Sequence, residues 1–172
     1  MSYQLTTMVV LFLLPGVQCW INTHGGVQVA MGCASNGVVY YLNSIFRNGD
    51  RLFDIQCRSP PIAGTSNCHK TGYENTFEQL QFMYRCPNNH YIAGIYSYFS
   101  RYRKDRRWTY KCCIIPGTKL DRCYETLFLN EYEHEMKYSV PTGKVMTGWG
   151  GTFSFPVRDR RYKVEVCVMV RV

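Results

Sequence analysis

The chain has 172 residues, which suits one domain, and its 20 Lys and Arg outweigh 12 Asp and Glu to give a net charge of +8. Met8 to Leu14 is too short an apolar run to span a bilayer and no later stretch is apolar enough, so a membrane-inserted protein is excluded. The positive surplus favours an acidic partner, and nine cysteines favour an oxidising compartment.

Residues 1–19 contain no charged side chain. The apolar run is broken by Pro15-Gly16, and Val17 and Cys19 take the small-residue positions of a cleavage site. Residues 1–19 therefore read as a signal peptide, with a secreted single domain over 20–172. Outside the cell the acidic partner expected is a sulfated polysaccharide rather than nucleic acid. The first strands follow: Val27 to Met31, Val38 to Phe46 and Arg51 to Cys57, separated by turns at Ala34-Ser-Asn-Gly37 and Arg47-Asn48-Gly49-Asp50. Ser59-Pro60-Pro61 opens a linker to Cys68. A second set of strands covers Leu80–Cys86, Tyr91–Ser100 and Arg107–Ile115, and Asp121 to Asn130 is a second linker holding Cys123. A third set occupies Glu133 to Val172, with turns at Pro141-Thr-Gly143 and near Pro156. No amphipathic helix of three turns is visible, so the class is all-β.

These sets are copies of one unit, spanning about 20–58, 77–115 and 133–172. Asp105-Arg106-Arg107-Trp108-Thr109-Tyr110 recurs as Asp50-Arg51-Leu52-Phe53 and as Asp159-Arg160-Arg161-Tyr162, each running into a cysteine. Three β-meander repeats predict a pseudo-threefold arrangement, a β-prism or a β-trefoil-like fold, with the 3 Trp, 14 Tyr and 9 Phe filling the axis.

The cysteines suggest their own pairing. Cleavage after Cys19 leaves eight. The signature Asp is followed by Cys at the seventh place in copy one (Cys57), at the eighth in copy three (Cys167), and at both in copy two (Cys112, Cys113). Neighbouring strand residues face opposite ways. The first kind is expected to bond the cysteine after each first strand, giving Cys33–Cys57 and Cys86–Cys112. The second kind is expected to bond the linker cysteines, giving Cys68–Cys113 and Cys123–Cys167. No ligand spacing suggests a metal, and no cofactor is expected.

The cations cluster in two places. Arg101, Arg103, Lys104, Arg107 and Lys111 surround the second signature, and Arg158, Arg161 and Lys163 surround the third. Guanidinium forks match sulfate as they match phosphate, so these eight are the expected polyanion contacts. Arg106 and Arg160, with Asp50, Arg51, Phe53, Asp105, Trp108, Tyr110, Asp159 and Tyr162, are expected instead to pack the repeat junctions. Tyr132 lies between Glu131 and Glu133, an acidic setting that suits tyrosine sulfation. The four histidines follow no catalytic spacing and no nucleophile motif is present, so enzymatic activity is not expected.

The three signatures, the Cys112-Cys113 pair and the opening Trp20-Ile21-Asn22 resemble the dermatopontin family. Copies one and three carry Phe53 and Tyr162 where that family has Trp, a divergence that resembles an invertebrate-type member, and the chain is basic where vertebrate members are acidic, which favours a direct polyanion contact. The resemblance implies a secreted extracellular-matrix protein concerned with cell adhesion and collagen fibril organization. It implies proteoglycan or glycosaminoglycan, collagen and cell-surface receptors as partners. Some relatives are agglutinins, so a soluble defence lectin is the rival expectation.

Overall fold

The computed structural model describes residues 20–172 except 24, 25, 27 and 35. The expected signal peptide lies outside the described residues. Among the described residues there are eleven strands: β1 (Gln28–Gly32), β2 (Val38–Arg47), β3 (Asp50–Arg58), β4 (Asn67–Lys70), β5 (Gln81–Arg85), β6 (Tyr91–Ser100), β7 (Asp105–Ile114), β8 (Thr118–Glu125), β9 (Met136–Ser139), β10 (Lys144–Ser154) and β11 (Asp159–Arg171). Their sequences alternate as half-buried strands must: in β7, Trp108, Tyr110 and Cys112 face inward while Arg107, Thr109 and Lys111 face outward.

Three antiparallel hairpins, β2–β3, β6–β7 and β10–β11, are the backbone of the three repeats. The all-β class and the threefold repetition stand as the sequence implies, but the meander does not close locally. The first strand of each repeat is handed to another repeat's hairpin. β1 pairs with β6, β5 with β10, and β9 returns to β2. The sheets are therefore β1-β6-β7-β4, β5-β10-β11-β8 and β3-β2-β9. Hydrophobic alternation identifies a strand and its inward face, not its partner, so the handover is invisible to periodicity.

Each middle strand carries a bulge at the equivalent residue, Tyr40, Ala93 or Thr147. The carbonyl of that residue accepts the N–H of Val140, Cys33 or Cys86, the residue that follows the incoming strand. The bulge thus supplies the acceptor that locks the exchanged strand in register.

The disulfides are Cys33–Cys57, Cys86–Cys112, Cys68–Cys113 and Cys123–Cys167. These are the pairs that the alternation of faces implies. The first two tie one sheet to another. The last two fasten β4 and β8 to the hairpin strands beside them. At the third inter-sheet position Val140 and Val166 stand where the other repeats have cysteine, and both are buried.

Candidate functional site

The three signature Asp-Arg pairs form one closed ring. Arg106 donates from Nε (3.1 Å) and Nη2 (2.7 Å) to Asp50. Arg160 does the same to Asp105, both at 2.7 Å, and Arg51 to Asp159 at 2.7 and 2.6 Å. Each Asp thus grips the Arg of another repeat, never its own. All six side chains are at most 3% exposed. Each guanidinium has a further partner: Arg106 Nη1 reaches Ser97 Oγ, Arg160 Nη1 the Gln79 carbonyl, and Arg51 Nη1 the His134 carbonyl. Buried charge is tolerated when it is paired and hydrogen-bonded in this way.

Directly beneath the ring, Phe53, Trp108 and Tyr162 meet edge-to-face, with centroids 5.4, 5.8 and 6.1 Å apart. Trp149 closes the cluster at 4.9 Å from Tyr162. Burial pushes the phenols of Tyr110 and Tyr162 well above their ordinary range, so both stay neutral.

A second threefold device escaped the sequence reading. Asn22, Asn75 and Asn130 each bracket a signature strand. The side-chain amide donates to the carbonyl of Arg51, Arg106 or Arg160, and its oxygen accepts from the N–H of Phe53, Trp108 or Tyr162. Three residues beyond Asn75 and Asn130, the N–H of Glu78 and Glu133 donates to Asp105 and Asp159 at 2.7 Å. The signal was present as evenly spaced asparagines flanked by aromatics, but an isolated Asn in a linker reads as a turn residue.

The ring closes the floor of a small axial cavity of about 20 Å³, room for little more than a water. The three hairpin turns converge above it. Gly49, Lys104 and Arg158 line its mouth at the equivalent place, immediately before each signature Asp. All three have left-handed φ, +75°, +52° and +55°. Glycine adopts this conformation freely, whereas other residues lose about 1–2 kcal/mol. Two of the three repeats therefore place a long cation where the backbone favours glycine.

Arg101 and Arg103 lie in the same turn as Lys104, and Arg47 flanks the turn at Gly49. This axial cap thus gathers five cations around two acids, Glu78 and Glu133. Glu78 bridges two turns, accepting from Arg103 at 2.6 Å and from Arg158. Its hydrogen bond from Arg103, supported by Arg158, holds its carboxyl below the ordinary value. Of the eight expected polyanion contacts, the structure brings four together here: Arg101, Arg103, Lys104 and Arg158. The other four lie along the outer sheet faces. Arg107 is sandwiched between Tyr73 and Phe77, and Arg161 between Phe128 and Tyr132. Lys163 is paired with Glu125, and Lys111 reaches the Cys33 carbonyl. Tyr132, expected as a sulfation site, is half-buried under Arg161 with its hydroxyl directed at the Thr152 carbonyl. His69 and His90 come together at 5.2 Å, which their separation in sequence does not suggest.

At the opposite end, a wider cleft of about 590 Å³ opens beside Asn36, Arg58 and Pro60. Its one cation, Arg58, already donates to the carbonyls of Pro141 and Lys144. The cap is the better candidate site.

The chain is similar in sequence to known proteins. The chain is 27% identical over 137 residues to the dermatopontin of Biomphalaria glabrata, covering 78% of this chain and 90% of that protein. It is 28% identical over 154 residues to the hemagglutinin/amebocyte aggregation factor of Limulus polyphemus, covering 87% of each. Against the dermatopontin of Mus musculus it is 27% identical over 155 residues, 87% of this chain and 77% of that protein. No solved structure matches it at the same stringency. The family model described as Dermatopontin spans residues 30–171, from β1 to the end of β11, and the chain belongs to the dermatopontin family.

Proposed function

We propose that this is a secreted extracellular-matrix protein that holds sulfated glycosaminoglycan, free or on a proteoglycan, at its axial cap. Collagen and cell-surface receptors are the matrix partners the reading entails. It makes the protein a binding module rather than an enzyme. The observation that carries it is the pair Lys104 and Arg158, long cations kept in left-handed conformations at the mouth of the axial cavity. The dermatopontin relatives support the matrix setting, and the disulfide-rich fold supports secretion.

Replacing Arg101, Arg103 and Lys104 together with Ala tests it. All three are exposed, so stability should change by only about 0.5 kcal/mol per site. Elution from immobilised heparin should move to lower salt, and the slope of log affinity against log salt should fall by about 2, because fewer counterions are displaced. Unchanged elution would remove the cap as the site. The Limulus relative favours a second reading, a soluble defence lectin. Agglutination blocked by small neutral sugars and indifferent to salt would select it.

A further inference from the structure

The outer face of the sheet β1-β6-β7-β4 carries a feature the other two sheets lack. The cross-strand register makes Tyr98 of β6, opposite Gln28, equivalent to Thr152 of β10, opposite Gln81. Tyr96, opposite Ala30, is likewise equivalent to Gly150, opposite Met83. On β2 the same places hold Ile45 and Asn43. This tyrosine pair occurs in one copy of the three, and the other two repeats fold without it.

Tyr96 lies flat on the sheet. Its hydroxyl sits over Gly32 and Gly94, where an added Cβ would come within 2.4 and 3.1 Å of that oxygen. Two glycines therefore leave the space the ring occupies. Tyr98, 39% exposed, and Tyr73, 50% exposed, stand beside it as walls. Both are braced: Tyr98 is 6.2 Å from Phe77, and Arg107 stacks on Phe77 and on Tyr73. The groove between them has a volume of about 220 Å³, with Gln28 and Thr109 supplying hydrogen-bonding groups. Lys70 stands at its rim, its ammonium 4.4 Å from the centre of the Tyr96 ring. Among the described residues, no Asp or Glu lines the groove.

Flat, braced phenol rings with polar groups between them match the two sides of a pyranose, whose C–H face stacks on an aromatic while its hydroxyls hydrogen-bond in plane. The volume lies below the roughly 300–1,000 Å³ of drug-sized sites, which suits a single sugar unit. The lysine, unopposed by any lining carboxylate, selects for an anionic substituent. The geometry points to a saccharide site on this face that takes one carboxylate-bearing pyranose, a uronate unit of a polysaccharide. It is separate from the axial cap.

The probe is a hyaluronan hexasaccharide, which carries uronate but no sulfate, compared with neutral maltohexaose by titration calorimetry on the full chain. The wild type should bind the hyaluronan fragment more tightly than the neutral one. Tyr73→Ala/Tyr98→Ala should weaken that binding about tenfold or more, as aromatic anchors do, while heparin elution shifts less than it does in the Arg101/Arg103/Lys104 variant. Lys70→Ala should abolish the preference for the uronate sugar. Gly32→Ala, which lifts the Tyr96 ring without altering its chemistry, should weaken binding as well. The proposal is overturned if the wild type binds neither saccharide, if the double tyrosine variant binds like wild type, or if binding is lost only in the Arg101/Arg103/Lys104 variant. The last outcome would leave the cap reading standing while removing the groove.

Discussion

Asp105→Ala is the sharpest test of the ring. The carboxylate accepts from Arg160 Nε and Nη2 and from the Glu78 N–H, each at 2.7 Å. Removing it strands a guanidinium whose side chain is 2% exposed. Breaking a buried pair from one side costs about 3–5 kcal/mol. For a domain of this size each kcal/mol lowers Tm by about 3 °C, so the variant should melt roughly 10–15 °C below wild type with all four disulfides intact. Asp105→Ala/Arg160→Met removes both charges and leaves no buried ion unpaired. It should regain about half of the loss, and a double-mutant cycle by calorimetry should show coupling of about 2 kcal/mol or more. Lys137→Ala, which breaks an exposed pair with Glu135, serves as the contrast and should cost under about 1 kcal/mol. If Asp105→Ala melts like Lys137→Ala, or if the two ring substitutions are additive, the ring does not hold the repeats together.

Three further outcomes are expected. Glu78→Gln frees Arg103 and Arg158 and should move heparin elution to higher salt at neutral pH. Because the Glu78 carboxyl is held low, wild type should show the same gain only as pH falls below the ordinary carboxylate value near 4.5, where the bridge and any stability it contributes are lost; elution independent of both would refute the bridge. Lys104→Gly/Arg158→Gly relieves two left-handed side chains, so Tm should stay within about 3 °C of wild type or rise, while heparin affinity falls. A clear loss of Tm would show that these side chains support the fold. Val140→Cys/Val166→Cys should complete the third inter-sheet disulfide and add about 3 kcal/mol; residual free thiols by mass spectrometry would contradict the equivalence of these positions.

Strand identity and disulfide pairing were legible because both depend on the parity of positions along a strand. The faces of Trp108, Cys112 and Cys113 follow from alternation alone. The role of the signature was half legible. Its Asp and Arg read as junction residues, yet that Asp105 grips Arg160 rather than Arg106 depends on how hairpins are placed in space. Strand exchange was hidden for the same reason: β9 pairs with β2 across about ninety residues of chain, and nothing local to Met136–Ser139 names that partner. The basic stretch around Trp108 looked like one patch. Folding splits it, because Arg107 and Lys111 point off the sheet while Arg101, Arg103 and Lys104 ride the turn.

The handing of each first strand to another repeat has a consequence for how such a chain arises. One repeat in isolation would present a strand with no hairpin to join and a hairpin with no strand to receive. Three separate copies of it would satisfy one another in a ring, each giving and taking once, with three Asp-Arg contacts closing the circle. That is a cyclic homotrimer in which every interface is head-to-tail and closes after three rotations. The return of β9 to β2, and of Asp159 to Arg51, is that third closure made within a single polypeptide.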